Sequence, residues 1–260
     1  MKSVQNAGIV VTGGGSGIGA ALARRFAGEG ARVVVNDINA GAASAVAASC
    51  GATAVPGDAA SQGGVAALIA DARKALGEID IYCANAGIVR SGGPEAAEAD
   101  WDASWQVNVM AHVRAARLLI DPWLARESGH LICTVSAAGL LAMPGTASYS
   151  VTKHAALAFA EWMALTYAHR GLTVQAICPQ GVRTGMLDGS DPGAELVLGD
   201  SVITPEVVAD TVLKGIADGR FLILPHPEVA AMYAGRAAET DRWLRGMNKI
   251  QRKVEEAQPR

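Results

Sequence analysis

Aromatic residues make up only 5% of this 260-residue chain and charged residues only 18%, and the formal net charge is −3. A weakly negative balance offers no basic field for a polyanion, which argues against nucleic acid as a partner. The arginines are scattered, and the mixed Arg-Lys-Glu-Glu run after Ile250 reads as a solvated helix end that frays over 250–260. No apolar run is long enough to cross a bilayer. The start, Met-Lys-Ser-Val-Gln-Asn, leads straight into a short strand, with no charged segment followed by an apolar one, so no signal peptide is expected. The four cysteines, Cys50, Cys83, Cys133 and Cys178, lie far apart, and three of them sit in apolar strand-like runs as small hydrophobes. There is no Cys-x-x-Cys, and the five histidines show no pair at ligand spacing, so no metal and a reducing cytoplasm are expected. What is plentiful is hydrophobic residues, half the chain, and 30 glycines. That describes a core rich in Ala, Val and Gly with close backbone contacts.

Strand-like and helix-like segments alternate with short joints, which predicts an α/β fold, a doubly wound Rossmann-type parallel sheet of about seven strands covered on both faces. Strands are expected at Ala7–Val11, Arg32–Val35, Thr53–Val55, Ile79–Cys83, Leu131–Val135, Thr173–Cys178 and Phe221–Leu224. Glu95 to about Arg126 reads as one or two helices bent at Pro122. Asp188–Asp200, rich in Gly, Asp, Ser and Pro, reads as a mobile loop. Thr204-Pro205-Glu206 starts a helix with a cap and a first-turn proline. No repeat or linker interrupts the pattern, so 1–260 is expected to form one domain.

The first strand runs into Gly13-Gly14-Gly15-Ser16-Gly17-Ile18-Gly19, which opens a helix. Glycines in that context let the chain turn tightly and approach a pyrophosphate, which the helix N-terminus then attracts. Close helix–sheet packing is the other reason for such a turn. Asp37, eighteen residues after Gly19 at the end of the second strand, suits two ribose hydroxyls and repels a 2′-phosphate. No basic residue stands beside it, and Ser16 rather than a cation precedes Gly17, so NAD is expected over NADP. The competing role for Asp37 is a helix cap. Asp58, followed by Ala59, either receives the adenine amino group or serves as a turn aspartate. Asn85-Ala86-Gly87, closing the fourth strand, suits close cofactor approach and suits an ordinary turn equally well.

Tyr149-Ser-Val-Thr-Lys153 places a phenol and an ammonium four residues apart on one helical face. A lysine beside a phenol lowers its pKa and makes it a proton donor and acceptor near neutral pH. Alone the spacing is weak, since an aromatic packed under a lysine stem produces it in many helices. Ser136, thirteen residues upstream, ends the apolar run His-Leu-Ile-Cys-Thr-Val, at a strand end where open α/β sheets place reacting groups.

In order and approximate spacing, Thr12-Gly-Gly-Gly-Ser-Gly17-Ile-Gly19, Asn85-Ala-Gly87, Ser136 and Tyr149-x-x-x-Lys153 resemble the short-chain dehydrogenase/reductase family in its compact single-domain form, to about Leu224. The resemblance implies an NAD-dependent oxidoreductase that interconverts a secondary alcohol and a ketone. It implies that Tyr149 exchanges the proton, that Lys153 lowers the phenol's pKa and holds the nicotinamide ribose, and that Ser136 binds the substrate oxygen. Asn108 then matches the helix asparagine that holds a water beside the lysine, although bonding within a helix bend explains it by itself. Pro179, Val182 and Thr184 match the segment along the nicotinamide and pyrophosphate. Gln180 departs from the pattern, which has glycine there; here the glycine is displaced to Gly181. The alternatives are a non-catalytic dinucleotide sensor or scaffold, and a sugar epimerase or dehydratase on a related fold.

Thr152–His169 is apolar almost all round, so it is buried on several sides, and the family likeness favours a subunit interface, hence a homodimer or homotetramer. Leu140, Leu141 and Met143, with Met186, Leu187, Leu196 and Leu198, suggest an apolar substrate pocket. A steroid, an acyl chain, an aryl ketone and a small diol all suit it. Leu224-Pro-His-Pro227 and Trp243 edge such a pocket or form a rigid strand exit with packed aromatics.

Overall fold

The structure is a computed structural model that describes residues 3–188 and 201–257. Seven strands form one sheet: β1 (Gly8–Val11), β2 (Arg32–Val35), β3 (Thr53–Ala54), β4 (Ile81–Ala84), β5 (Gly129–Thr134), β6 (Leu172–Ile177) and β7 (Leu222–Ile223). Their order is β3-β2-β1-β4-β5-β6-β7 and each pair is parallel. Parallel neighbours need crossovers, and the helices that supply them cover both faces. This is the expected doubly wound α/β fold.

Alternate strand residues feed two cores, because successive side chains point to opposite faces. Ile9, Val11, Val33, Val35 and Ile132 pack with α1 (Gly17–Gly28), α2 (Ala40–Cys50) and α8 (Pro205–Asp218). Val10, Val34, Tyr82, Leu131 and Val174 pack with α3 (Gln62–Leu76), α5 (Ala111–Ala125) and α6 (Ala147–Tyr167). The scarce aromatics are used where volume is needed: Trp123, Tyr82 and Phe26 are among the largest fully buried side chains.

Between α4 (Glu98–Trp105) and α5 the chain makes a π turn, Gln106–Met110. The break expected at Pro122 therefore lies further back, around Asn108. Pro122 sits inside α5, near its end. The carbonyl its missing N–H leaves free, that of Leu118, accepts from Arg73 Nη2 at 3.2 Å, so the helix continues. A single helical turn, α7 (Gly185–Asp188), precedes the undescribed stretch on which the expected loop falls. The last two helices are α9 (Glu228–Ala238) and α10 (Thr240–Ala257). The expected fraying from 250 is not seen before Ala257: Val254 is buried, and Trp243, Met247 and Ile250 bring the same face of α10 to the cleft described below.

All six of β1–β6 end on the same edge of the sheet, and the strand order reverses between β1 and β4. Ligands of such sheets bind outside the carboxyl ends at that reversal.

Candidate active site

A cleft of about 1040 Å³ runs along the carboxyl edge. It is lined by Gly13, Ser16, Gly17, Ile18, Asp37, Asp58, Ala59, Asn85, Ala86 and Gly87 at one end, and by Ser136, Tyr149, Lys153, Pro179, Val182 and Thr184 further along. These are expected site residues, now brought together from six strand ends. Gly19 and Asn108 stand behind this wall.

The glycine turn serves both purposes weighed for it. A Cβ at Gly19 would lie 2.2 Å from Gly13 O, and one at Gly13, where φ is +60°, would lie 2.9 Å from Ala86 Cα. Both positions need glycine for packing. Ser16, the residue before α1, makes no side-chain cap, and the first turn carries no carboxylate. The helix therefore presents free N–H groups and the positive end of its dipole to the cleft, which fits a pyrophosphate.

Asp37 is not the cap of α2; Asn39 is, accepting from Ala42 N. Asp37 Oδ2 accepts from Gly15 N at 3.0 Å and Oδ1 from Asn39 N at 2.9 Å, so each oxygen keeps a lone pair for a ribose hydroxyl. Among the described residues, no Arg or Lys lines this end of the cleft. Asp58 accepts from Ala60 N and Ser61 N, as a turn aspartate does, and the Ser61 hydroxyl first, then these two backbone N–H groups, lower its pKa from the ordinary carboxylate value. It still reaches the cleft wall. Asn85 is a staple: Nδ2 donates to Thr12 O at 2.9 Å, and Oδ1 accepts from Thr134 Oγ1 at 3.0 Å. Thr12 Oγ1 accepts from both Asn85 N and Ala86 N at 3.0 Å, closing β1 onto β4.

On the reaction side, Ser136 Oγ accepts from Ala138 N at 3.0 Å and makes only a long 3.4 Å donation to Pro179 O. Its proton is easily redirected. Lys153 Nζ is buried, donates to Thr134 O at 2.9 Å and lies 5.6 Å from the Tyr149 ring centroid. Burial lowers its pKa to about 8. Burial also raises the Tyr149 phenol, and the neighbouring Ser136 hydroxyl offsets part of that rise. The expected lowering by the lysine is thus not what the protein alone produces: the ammonium points at Thr134 O, and desolvation dominates.

Asn108, in the π turn, binds Ile88 twice, Nδ2 donating to its carbonyl and Oδ1 accepting from its amide, both at 2.9 Å, and Nδ2 also reaches Thr152 Oγ1 at 3.1 Å. It ties the β4 exit to α6 directly beside Lys153. Gly181 and Arg183 pair with Ile203, which leaves Val182's own N–H and C=O outside that bridge.

Comparison with known proteins places this arrangement. The family model described as short chain dehydrogenase matches residues 7–194. The chain belongs to the short-chain dehydrogenase family. A relative of this family, the 1-deoxy-11-beta-hydroxypentalenate dehydrogenase of Streptomyces exfoliatus, is 34% identical over 236 residues, covering 86% of this chain and 85% of that protein. The 2-(S)-hydroxypropyl-CoM dehydrogenase 3 of Xanthobacter autotrophicus is 34% identical over 232 residues, 83% of this chain and 91% of that one. A short-chain dehydrogenase/reductase of Burkholderia phymatum solved with NAD superposes with a TM-score of 0.83 at 27% identity, covering 93% and 96%. The chain is accordingly an oxidoreductase with a nicotinamide dinucleotide cofactor and a small-molecule substrate. Among the described residues, no helix is long and apolar enough to cross a membrane, and no acidic, histidine or cysteine cluster suits a metal.

The other end of the cleft, where an apolar substrate pocket was expected, differs from expectation. Leu141, Met143 and Met186 line it, but Leu140 is buried in the core; Leu196 and Leu198 lie outside the described residues, as does the side chain of Leu187. Trp243 lines the cleft, whereas His226 packs behind it, accepting from Gln180 N at 3.1 Å through Nδ1 and donating to Ser201 O at 2.8 Å through Nε2. Gln180 itself lines the cleft, and its Oε1 is buried without a partner. Ile38, Met232, Arg236, Arg242 and Met247 also line it and were not foreseen. The signal for the last of these was present: Trp243, Met247, Ile250 and Val254 recur at helical spacing in an otherwise charged segment.

Proposed function

We propose that the protein is an NAD(H)-dependent dehydrogenase interconverting an apolar secondary alcohol and its ketone, working as one domain in a homo-oligomer in the cytoplasm. The observation that carries the reading is the convergence of Ser136, Tyr149 and Lys153 on one wall of a cleft whose far end holds the uncapped α1 and Asp37. The bound nicotinamide supplies hydride acceptance and donation at its C4. The protein's residues do the rest. The free N–H groups of α1 hold the pyrophosphate, Asp37 accepts from the ribose hydroxyls, and Val182's backbone serves the carboxamide.

Tyr149, as the phenolate left once its own proton has passed to the water beside Asn108, would take the hydroxyl proton of the alcohol; in the reverse direction the neutral phenol would give its proton to the carbonyl oxygen. Ser136 turns its O–H from the long contact with Pro179 O towards the same oxygen and stabilises the charge that develops there. Lys153 spends one N–H on Thr134 O and keeps two, for the nicotinamide ribose and for a developing phenolate. Asn108 fixes the backbone beside it, where a water would carry the proton onward. Leu141, Met143, Met186 and Met232 exclude water from the substrate's body. A carboxylate at Asp37 supports NAD, since a 2′-phosphate there meets a negative charge with no cation among the described residues lining that end.

The oligomer is supported by the outer face of α6, where Val151, Trp162 and Leu165 are 49%, 51% and 74% exposed. The four free cysteines support a reducing compartment. The test is a panel of secondary alcohols with NAD, read as NADH absorbance. The reading expects turnover of apolar members, and a panel without any turnover contradicts it.

A further inference from the structure

Beyond the reacting wall, this end of the cleft is closed by α9 and α10, which bring Met232, Trp243 and Met247 to it, and also two cations, Arg236 and Arg242, and one carboxylate, Glu239. Arg236 is anchored. Its Nη1 donates to Leu140 O, to Leu141 O at 3.0 Å and to His154 Nε2 at 3.0 Å. His154 Nδ1 is the protonated nitrogen, since it faces the carbonyl of Ser150 at 2.8 Å, so Nε2 is the acceptor. Trp243 covers the guanidinium, with Cζ 4.9 Å from the ring centroid. None of these partners is a carboxylate. Arg242 differs: it lies at the exposed rim and pairs with Glu239 at 3.3 Å.

What these contacts leave over is specific. Nε and Nη2 of Arg236 have no hydrogen-bond partner among the described residues, and neither belongs to the buried polar atoms without one, so both are open to solvent. Those two nitrogens form the side edge of the guanidinium, two parallel N–H groups that match a carboxylate's two oxygens. The contacts through Nη1 suffice for a strut between α9 and the loop after Ser136; they do not use this edge. A planar fork, held flat by an indole and without a carboxylate partner, is preorganised for one.

Building on the oxidoreductase reading above, we infer that the substrate is an amphipathic acid: an apolar body carrying the secondary alcohol or ketone, with a carboxylate distant from it that seats on the Nε–Nη2 edge of Arg236. The apolar walls take the body, Ser136 and Tyr149 take the reacting oxygen, and Arg236 sets which end of the molecule faces α9. Arg242 at the rim is paired with Glu239, so the recognition rests on Arg236 alone.

The test compares saturated hydroxy fatty acids, with the hydroxyl on the penultimate carbon, against their methyl esters over a range of chain lengths, as kcat/KM with NAD. At the best length the acid is expected to exceed the ester by at least about tenfold, a charge-assisted bidentate contact being worth that much. In Arg236→Gln the acid-to-ester ratio is expected to fall towards unity, and in Arg236→Lys to be intermediate; a ratio is insensitive to a general loss of activity from a shifted loop. Equal values in the wild type at every length, or a ratio that survives Arg236→Gln, overturns the inference. Binding gives a readout independent of catalysis: calorimetric titration of the NADH-loaded protein with decanoate and with decanol. Decanoate binding tighter by a margin that Arg236→Gln removes supports the anion site even if no alcohol turns over, in which case only the catalytic reading fails. Equal binding of acid and alcohol contradicts the site.

Discussion

Asp37 and His112 show how much one side chain decides. Asp37 accepts one backbone N–H from its own turn, that of Asn39, and one from the glycine turn, that of Gly15, yet each oxygen keeps a lone pair and the residue lines the cleft. The protein is expected to bind NADH at least about tenfold more tightly than NADPH, a difference of about 1.4 kcal/mol; equal dissociation constants from fluorescence titration would mean the carboxylate does not face the ribose. His112 is buried on α5, and neither of its ring nitrogens has a partner. Burial, with a smaller contribution from the Lys153 charge, lowers its pKa from 6.5 to about 3, and burial lowers that of His130 to about 4. Both are neutral in the fold and protonated in the unfolded chain below 6.5. The unfolded state therefore binds more protons, and stability falls as the pH drops from 6.5 towards 4. The expectation is a denaturant midpoint that declines across this window in the wild type and declines less in His112→Leu. Equal slopes would show that His112 is not held neutral.

At the scale of elements, the π turn Gln106–Met110 is the device that brings Asn108 to both the β4 exit and α6. Such turns recur at functional sites because they aim one side chain out of helical register. Asn108→Ala leaves the amide and carbonyl of Ile88 without their partner, so a loss of about 1–3 kcal/mol by denaturant unfolding is expected, with lowered turnover. Unchanged stability would show that water replaces the side chain. Sequence periodicity read the strands well because parallel strands are buried on both faces, as the apolar runs at β1, β4 and β5 are. It missed the π turn, since Gln-Val-Asn-Val-Met carries no breaker, and it put the bend at Pro122, where Arg73 compensates the lost bond. The glycine turn, Ser136, Tyr149 and Lys153 were legible because each follows a strand end or shares a helical face. Arg236 was not, because a single arginine on a helix distant in sequence gives no local sign that it will meet Leu140, Leu141 and His154. The phenol's environment was misread for a similar reason: spacing places a lysine near a tyrosine but says nothing about how dry the place is or where the ammonium points.

For the whole molecule, the sheet positions the cofactor end and the helices position the reacting end, and α6 joins the two tasks. Its inner side carries Tyr149 and Lys153, and its outer side exposes Val151, Trp162 and Leu165. An apolar stripe along a long helix is rarely left in water. Changing Trp162→Glu together with Leu165→Lys is expected to shift the protein to a smaller species in sedimentation velocity, and an unchanged sedimentation coefficient would remove α6 from the interface. The central claim is that the half-buried phenol on the inner side of this helix transfers the proton. Tyr149→Phe removes one oxygen at the cleft wall and leaves the uncapped end of α1, Asp37 and Lys153 in place. NADH titration and steady-state turnover of the same variant are the measurement: nearly unchanged NADH affinity with turnover reduced at least about a hundredfold is the predicted result, and turnover at the wild-type rate contradicts the assignment.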